Sequence, residues 1–138
     1  MNTEPLYVPG KYSRDLFQRT IDCWLSGRDA DGWAETLWNY YSRGLHPGSF
    51  VESVLANDMY CAMAHCHPSN NIQSIKMLCG WVRDYGLHGV ASGDWSTVHK
   101  WTKLNQRTRL DHLVRHGLAY SSEQEVCLVL EDAPLTSL

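Results

Sequence analysis

No window of this chain approaches the roughly 18 consecutive apolar residues that a membrane-crossing helix needs, so a transmembrane protein is not expected. The opening "MNTEPLYVPGKYSRD" has no basic stretch followed by an apolar one, which argues against a secretory leader. Cysteine is present, but as five residues in irregular spacing with no CxxC pair, an odd count that builds no disulfide framework. Reduced thiols in an intracellular, soluble protein are the expectation. P-loop, GxGxxG and HExxH patterns are missing, which removes the usual marks of nucleotide, dinucleotide and zinc-protease chemistry. Positive charge is also short: the net charge of −3 sets up no global field toward nucleic acid or an anionic membrane. Repeats and low-complexity segments are absent.

What is abundant is large aromatic side chains, six Trp and seven Tyr in 138 residues, enough buried area for one aromatic-rich core. The chain reads as a single mainly α domain, a compact bundle of five to six helices with a short C-terminal β-strand or hairpin. Residues 1–11, with Pro5, Pro9 and Gly10, read as an N-terminal arm whose Leu6, Tyr7 and Val8 favour docking; 12–105 read as the helical core, and 106–138 as a helix plus β segment.

From about Tyr12 to Leu25, Leu16, Phe17, Thr20, Ile21, Trp24 and Leu25 recur at helical spacing and mark a first helix, ended by the break at Gly27. Asp31 is placed to cap a second, running to about Ser42 and stopped by Gly44, with Trp33, Leu37, Trp38, Tyr40 and Tyr41 covering most of its circumference. Ser49 followed by Glu52 has the form of a capping box, and a third helix is expected from Phe50 to about His65. "HPSNN" is a turn. Ile72 to Tyr85 form a fourth helix ended by Gly86, and Asp94 caps a fifth carrying Trp95, Val98 and Trp101. Thr108 with Asp111 opens a short helix that Gly117 stops, and "EVCLVLED" reads as a strand rich in β-formers. An unpaired edge such as "VCLVL" would invite a homodimer through strand pairing.

Three kinds of chemistry are open to the residues present. Cys61, His65, Cys66 and His67 lie close in sequence, but a zinc site needs a second separated pair, and Cys79 falls on the apolar stripe of the fourth helix. Packing and helix capping are favoured over metal, and no cofactor is expected. Ser49 lacks the GxSxG elbow of a nucleophile, and chance Cys–His pairs are expected among so many thiols and imidazoles, so the chain reads as a non-enzyme. The segment 100–116 is the one basic concentration: Lys100, Lys103, Arg107, Arg109 and Arg115 against Asp111 alone. With "GLAYSSEQEVCLVLED" after it, the pattern suggests a winged helix whose recognition helix begins near Gln106, the alternative function being DNA binding through those five basic residues. The acidic "SSEQE" is a poor wing for that purpose, and a solvated basic face is the favoured reading.

The stretch from Gly44 to Trp101 resembles a family of small proteins carried by phages and other mobile elements. The residues that carry the likeness are Pro47, Gly48, Ser49 and Phe50; then Val54, Leu55, Asn57 and Asp58; then Asn70 or Asn71 in a polar turn; then Trp95 with Trp101. Cys61, Cys66 and the "HCHP" turn depart from the pattern, where acidic residues are more usual. The resemblance implies a setting and no reaction: an accessory protein in the cytoplasm of an infected bacterium, acting by steric occupation of a host or defence-system protein, as an anti-CRISPR does. For such a protein the expected partner surface is Trp33, Trp38, Tyr40 and Tyr41, with Asn57 and Asp58 either facing the partner or, as preferred, bonding a neighbouring helix.

Overall fold

A computed structural model of the chain describes residues 10–25, 32–67 and 72–132. The elements in order are α1 (Lys11–Leu25), α2 (Trp33–Arg43), α3 (Ser49–Leu55), α4 (Met59–His65), α5 (Ile72–Tyr85), α6 (Trp95–Lys103), α7 (Gln106–Arg115) and α8 (Ser122–Asp132). The mainly α class is as expected, but among the described residues there are eight helices rather than five or six, and no strand. None of these helices is long and apolar enough to cross a membrane. The arm through Pro9, the break at Gly27, the cap at Asp31 and the turn at Asn70 and Asn71 lie outside the described residues.

Two differences account for the altered count. The helix expected from Phe50 to His65 is two helices, because Asn57 takes a left-handed φ of 58°. Asn57 and Asp58 donate their backbone N–H groups to the carbonyls of Val54 and Ser53, which closes α3 in a Schellman turn. Asp58 then starts α4 by accepting the Cys61 N–H at 3.1 Å. The second difference is "EVCLVLED", which is helical. Its start is a reciprocal capping box: Ser121 N–H donates to Gln124 Oε1 at 2.7 Å, and Gln124 N–H donates to Ser121 Oγ at 3.2 Å. The edge-strand dimer expected for this segment therefore has no strand to use, and the expected wing is the first turn of a helix. By contrast, the box read at Ser49 and Glu52 does not form. Gly48 occupies the N-cap, and Glu52 reaches His46 Nε2 at 3.1 Å while His46 Nδ1 accepts the Gly48 N–H.

Other start and stop signals work locally as their chemistry demands. Asp94 accepts the Thr97 N–H at 2.7 Å to open α6, and Asn105, three residues ahead of the expected start, accepts the Thr108 N–H at 2.8 Å to open α7. Gly44 stops α2 at φ 70°, and there a side chain would also press on the Arg109 guanidinium, since a Cβ would stand 2.9 Å from its Cζ.

The core is centred on α2, which packs against α1, α6 and α7. Phe17 of α1 lies 5.2 Å from Trp38, 5.7 Å from Tyr41 and 5.3 Å from Trp81, ring centre to ring centre, and Trp101 stands 6.1 Å from Tyr41. Four of the polar tips in this cluster have partners: Tyr40 donates to the Ala91 carbonyl, Tyr41 to that of Gly86, Trp101 to that of Tyr40, and Trp81 to Thr20 Oγ1. That satisfaction is what allows so many amphipathic rings to be buried together. Burial pushes both Tyr40 and Tyr41 well above the ordinary phenol range, with Glu52 adding to the shift of Tyr40 and Tyr40 to that of Tyr41.

Candidate partner-binding surface

The aromatic anchors expected on α2 are not on the surface. Trp33, Trp38, Tyr40 and Tyr41 are 6, 4, 0 and 0% exposed. Helix α2 carries aromatic residues around most of its circumference, and instead of facing a partner they meet α1, α6 and α7 on its several sides.

The basic segment is split in the same way. Arg109 is buried among backbone carbonyls, donating from Nε to Ser42 at 3.2 Å and from Nη1 to Trp101 at 3.4 Å and to Leu104. It is a structural cation and is removed from any nucleic-acid face. Burial lowers its tendency to hold the proton relative to a free guanidinium. Lys100, Lys103, Arg107 and Arg115 do stand exposed, with Asp111 exposed among them.

Exposed apolar residues cluster instead on two helices, α4 and α8, while Leu45 and Ile72 are exposed singly. On α4, Tyr60 is 87% exposed, flanked by Met59 at 42% and Met63 at 43%. The base of this face is rigid. Asp58 binds the Cys61 N–H with one carboxylate oxygen and the Trp95 indole N–H with the other, at 2.9 Å. Those two donors, the Cys61 N–H first, hold its carboxyl below the ordinary value. Gly93 N–H also donates to the Leu55 carbonyl at 2.8 Å, so the loop before α6 is stitched to the end of α3. Asn57 is exposed at the junction and Asp58 half-buried: the turn residue and cap together aim α4 outward. The expected bond from this pair to a neighbouring helix exists, though it runs to a side chain of α6 rather than to backbone.

The thiols and imidazoles of the same region do not gather. Among the described residues no group of three or more His, Cys, Asp or Glu side chains is arranged to hold a metal ion. The Cys61 thiol is pushed up, chiefly by its hydrogen bond to Asp58, and the Cys79 thiol is pushed up by burial, which keeps both protonated and weakly nucleophilic. Cys66 Sγ donates to the Met63 carbonyl at 3.3 Å, closing the last turn of α4, while His65 and His67 are exposed.

On α8, Val126, Val129 and Leu130 are exposed, and Glu125 is turned inward, accepting the Ser13 N–H of α1 at 2.8 Å. Tyr120 N–H donates to Ser13 Oγ at 3.0 Å beside it, so α8 hangs on the first turn of α1. A shallow depression of about 310 Å³ between Tyr120, Glu123, Gln124, Cys127 and Leu128 runs along this helix.

Neither face was found from the sequence, although both carried a local signal. Asn followed by Asp is a helix stop and a helix start, and it takes Met59 off the periodic stripe that Val54 and Leu55 begin. The Ser121 and Gln124 spacing announces the helix on which Val126, Val129 and Leu130 form one side. Compared with family models, with curated proteins and with solved structures, the chain finds no match.

Proposed function

We propose that this chain is a non-catalytic binding protein that acts by occupying another protein, in the manner of a phage accessory factor that blocks a host defence or regulatory complex as an anti-CRISPR does. The contact surface is α4, with Tyr60 as its central anchor and Met59 and Met63 beside it, in place of the aromatic residues of α2. One observation carries this reading: a tyrosine 87% exposed between two exposed methionines, on a short helix whose start is tied to α6 by the bond between Asp58 and Trp95. Tyrosine offers a large, rigid, amphipathic contact at low entropic cost, and methionine adapts to irregular apolar surfaces.

The test compares the wild-type chain with a Tyr60→Ser/Met63→Ser variant in retaining a stoichiometric protein from nuclease-treated bacterial lysate, and in relieving defence against phage when expressed in that host. Both activities are expected to be lost in the variant, with the melting curve little changed because Tyr60 faces water and Met63 is only partly covered. Equal retention by the two proteins would move the contact away from α4. A second reading, nucleic-acid binding, is favoured by the exposure of Lys100, Lys103, Arg107 and Arg115. It is the outcome if retention in both proteins vanishes on nuclease treatment and falls steeply with salt.

A further inference from the structure

Methionine is an apolar side chain that a mild oxidant makes polar, and its placement here is uneven. The chain has four methionines. Met77 of α5 is packed against the core, whereas Met59 and Met63 of α4 stand 42 and 43% exposed. These two are four residues apart, with Tyr60 three before the second, so all three share the outward side of α4, away from the buried Ala62.

Two features make the thioethers the groups that an oxidant would change on this side. The neighbouring Cys61 thiol is pushed up, chiefly by its hydrogen bond to Asp58, and thiol oxidation proceeds through the thiolate. A thioether has no proton to lose and attacks with its sulfur lone pair as it stands. With hydrogen peroxide the S–O bond forms as the O–O bond breaks, the sulfur is oxidised to a sulfoxide, and the peroxide is reduced to water. The product is polar where the reactant was apolar, and it is reversible by methionine sulfoxide reductases.

We infer that Met59 and Met63 form a paired sulfoxidation site, at which a peroxide converts the apolar border of Tyr60 into a polar one and a thiol-dependent reductase restores it. Release of the protein held by α4 is the consequence for binding, and that consequence rests on α4 being the contact surface.

The test treats the full chain with hydrogen peroxide at about pH 5, where thiolates are scarce, and then with dithiothreitol, which reduces disulfides and sulfenic acids but leaves sulfoxides. Peptide mapping by mass spectrometry should find oxygen entering Met59 and Met63 about fivefold or more faster than Met77. On a hydrophobic-interaction column the oxidised chain should elute earlier than the untreated one, and incubation with methionine sulfoxide reductases should restore its position. Met59→Leu/Met63→Leu, which takes no oxygen at these positions, should lose most of that shift. Oxidation of Met77 as fast as that of Met59 and Met63, or a shift that the leucine variant keeps in full, would overturn the inference. For the consequence, the oxidised chain should no longer retain the lysate protein and should recover it after reductase treatment; retention that survives full sulfoxidation would overturn that part. An untreated chain that retains no protein counts against α4 as the contact surface, and the mapping and the column still decide the sulfoxidation site.

Discussion

Arg109 brings its charge into the interior to meet the carbonyls of Ser42, Trp101 and Leu104, which lie at the C-terminal ends of α2 and α6. Those ends carry partial negative charge and carbonyls with no partner inside the helix, so one guanidinium fork both neutralises and satisfies two helix termini at once. Arg109→Met would leave the Ser42 and Leu104 carbonyls without this donor, while the Trp101 carbonyl keeps the Leu104 N–H, at about 1–3 kcal/mol for such a group. Urea unfolding should show a loss of roughly 3 kcal/mol for Arg109→Met, a smaller one for Arg109→Lys, and no more than about 0.5 kcal/mol for the exposed Arg107→Met. Comparable losses at positions 107 and 109 would contradict the division of the basic segment into one structural and several surface residues. Nothing in the one-dimensional pattern separates the two arginines; the distinction is made by α2, some 67 residues away along the chain at Ser42.

At the scale of the element, the junction between α3 and α4 rests on one backbone conformation. Asn57 at φ 58° is tolerated because asparagine visits the left-handed region at modest cost. Asn57→Gly should therefore be close to neutral in thermal unfolding, whereas Asn57→Ala should cost about 1 kcal/mol. If alanine were accepted as readily as glycine, the expected continuous helix from Phe50 to His65 would be the better description. Much of this level was legible in the sequence: Gly44, Asp94 and Gly117 stop or start helices where their side chains or φ freedom predict, because a cap is made by atoms a few residues apart. The failures at Asn57 and in "EVCLVLED" are instructive for the same reason. There the periodicity of Val54, Leu55 and Met59 and the β propensity of valine point one way and the capping chemistry of Asn57, Asp58, Ser121 and Gln124 the other, and the capping wins. Propensity is a weak, summed preference, and the paired bonds of Ser121 with Gln124 and of Glu125 with Ser13 override it.

For the whole molecule, two helix-cap aspartates and one half-buried histidine make stability depend on pH in two separate windows. Asp58 and Asp94 are held below their ordinary value of 3.8 by backbone N–H donors, of Cys61 for the first and of Thr97 for the second. Each favours the folded state while ionised, so its contribution is complete above 3.8 and is lost as pH falls through the depressed folded values. His112, whose ring lies 5.7 Å from that of Trp101, is held below its ordinary 6.5, first by burial and then by Arg115 and His116. Protonation is thus harder in the folded than in the unfolded chain. The stability that neutral His112 contributes is present above 6.5 and declines as pH falls from there through its folded value. His112→Gln should flatten the decline that begins near 6.5 and leave the more acidic one in place, as read from denaturation midpoints across pH. An unchanged upper limb in that variant would assign it to another histidine.

The amino-acid sequence by itself determined the helical class, most of the helix boundaries and an aromatic-rich interior, because these follow from periodicity, capping and composition, all of which act over a turn or two of chain. Tertiary structure alone decided which aromatic residues see water. Tyr41 and Tyr60 are the same residue type, each on a helix, and differ because α1, α5 and α6 close over the first while the second stands on the outer side of α4, whose inner side buries Ala62. Burial is a property of what packs against a side chain from distant parts of the chain, and no local pattern around Trp38 or Tyr60 contains that information.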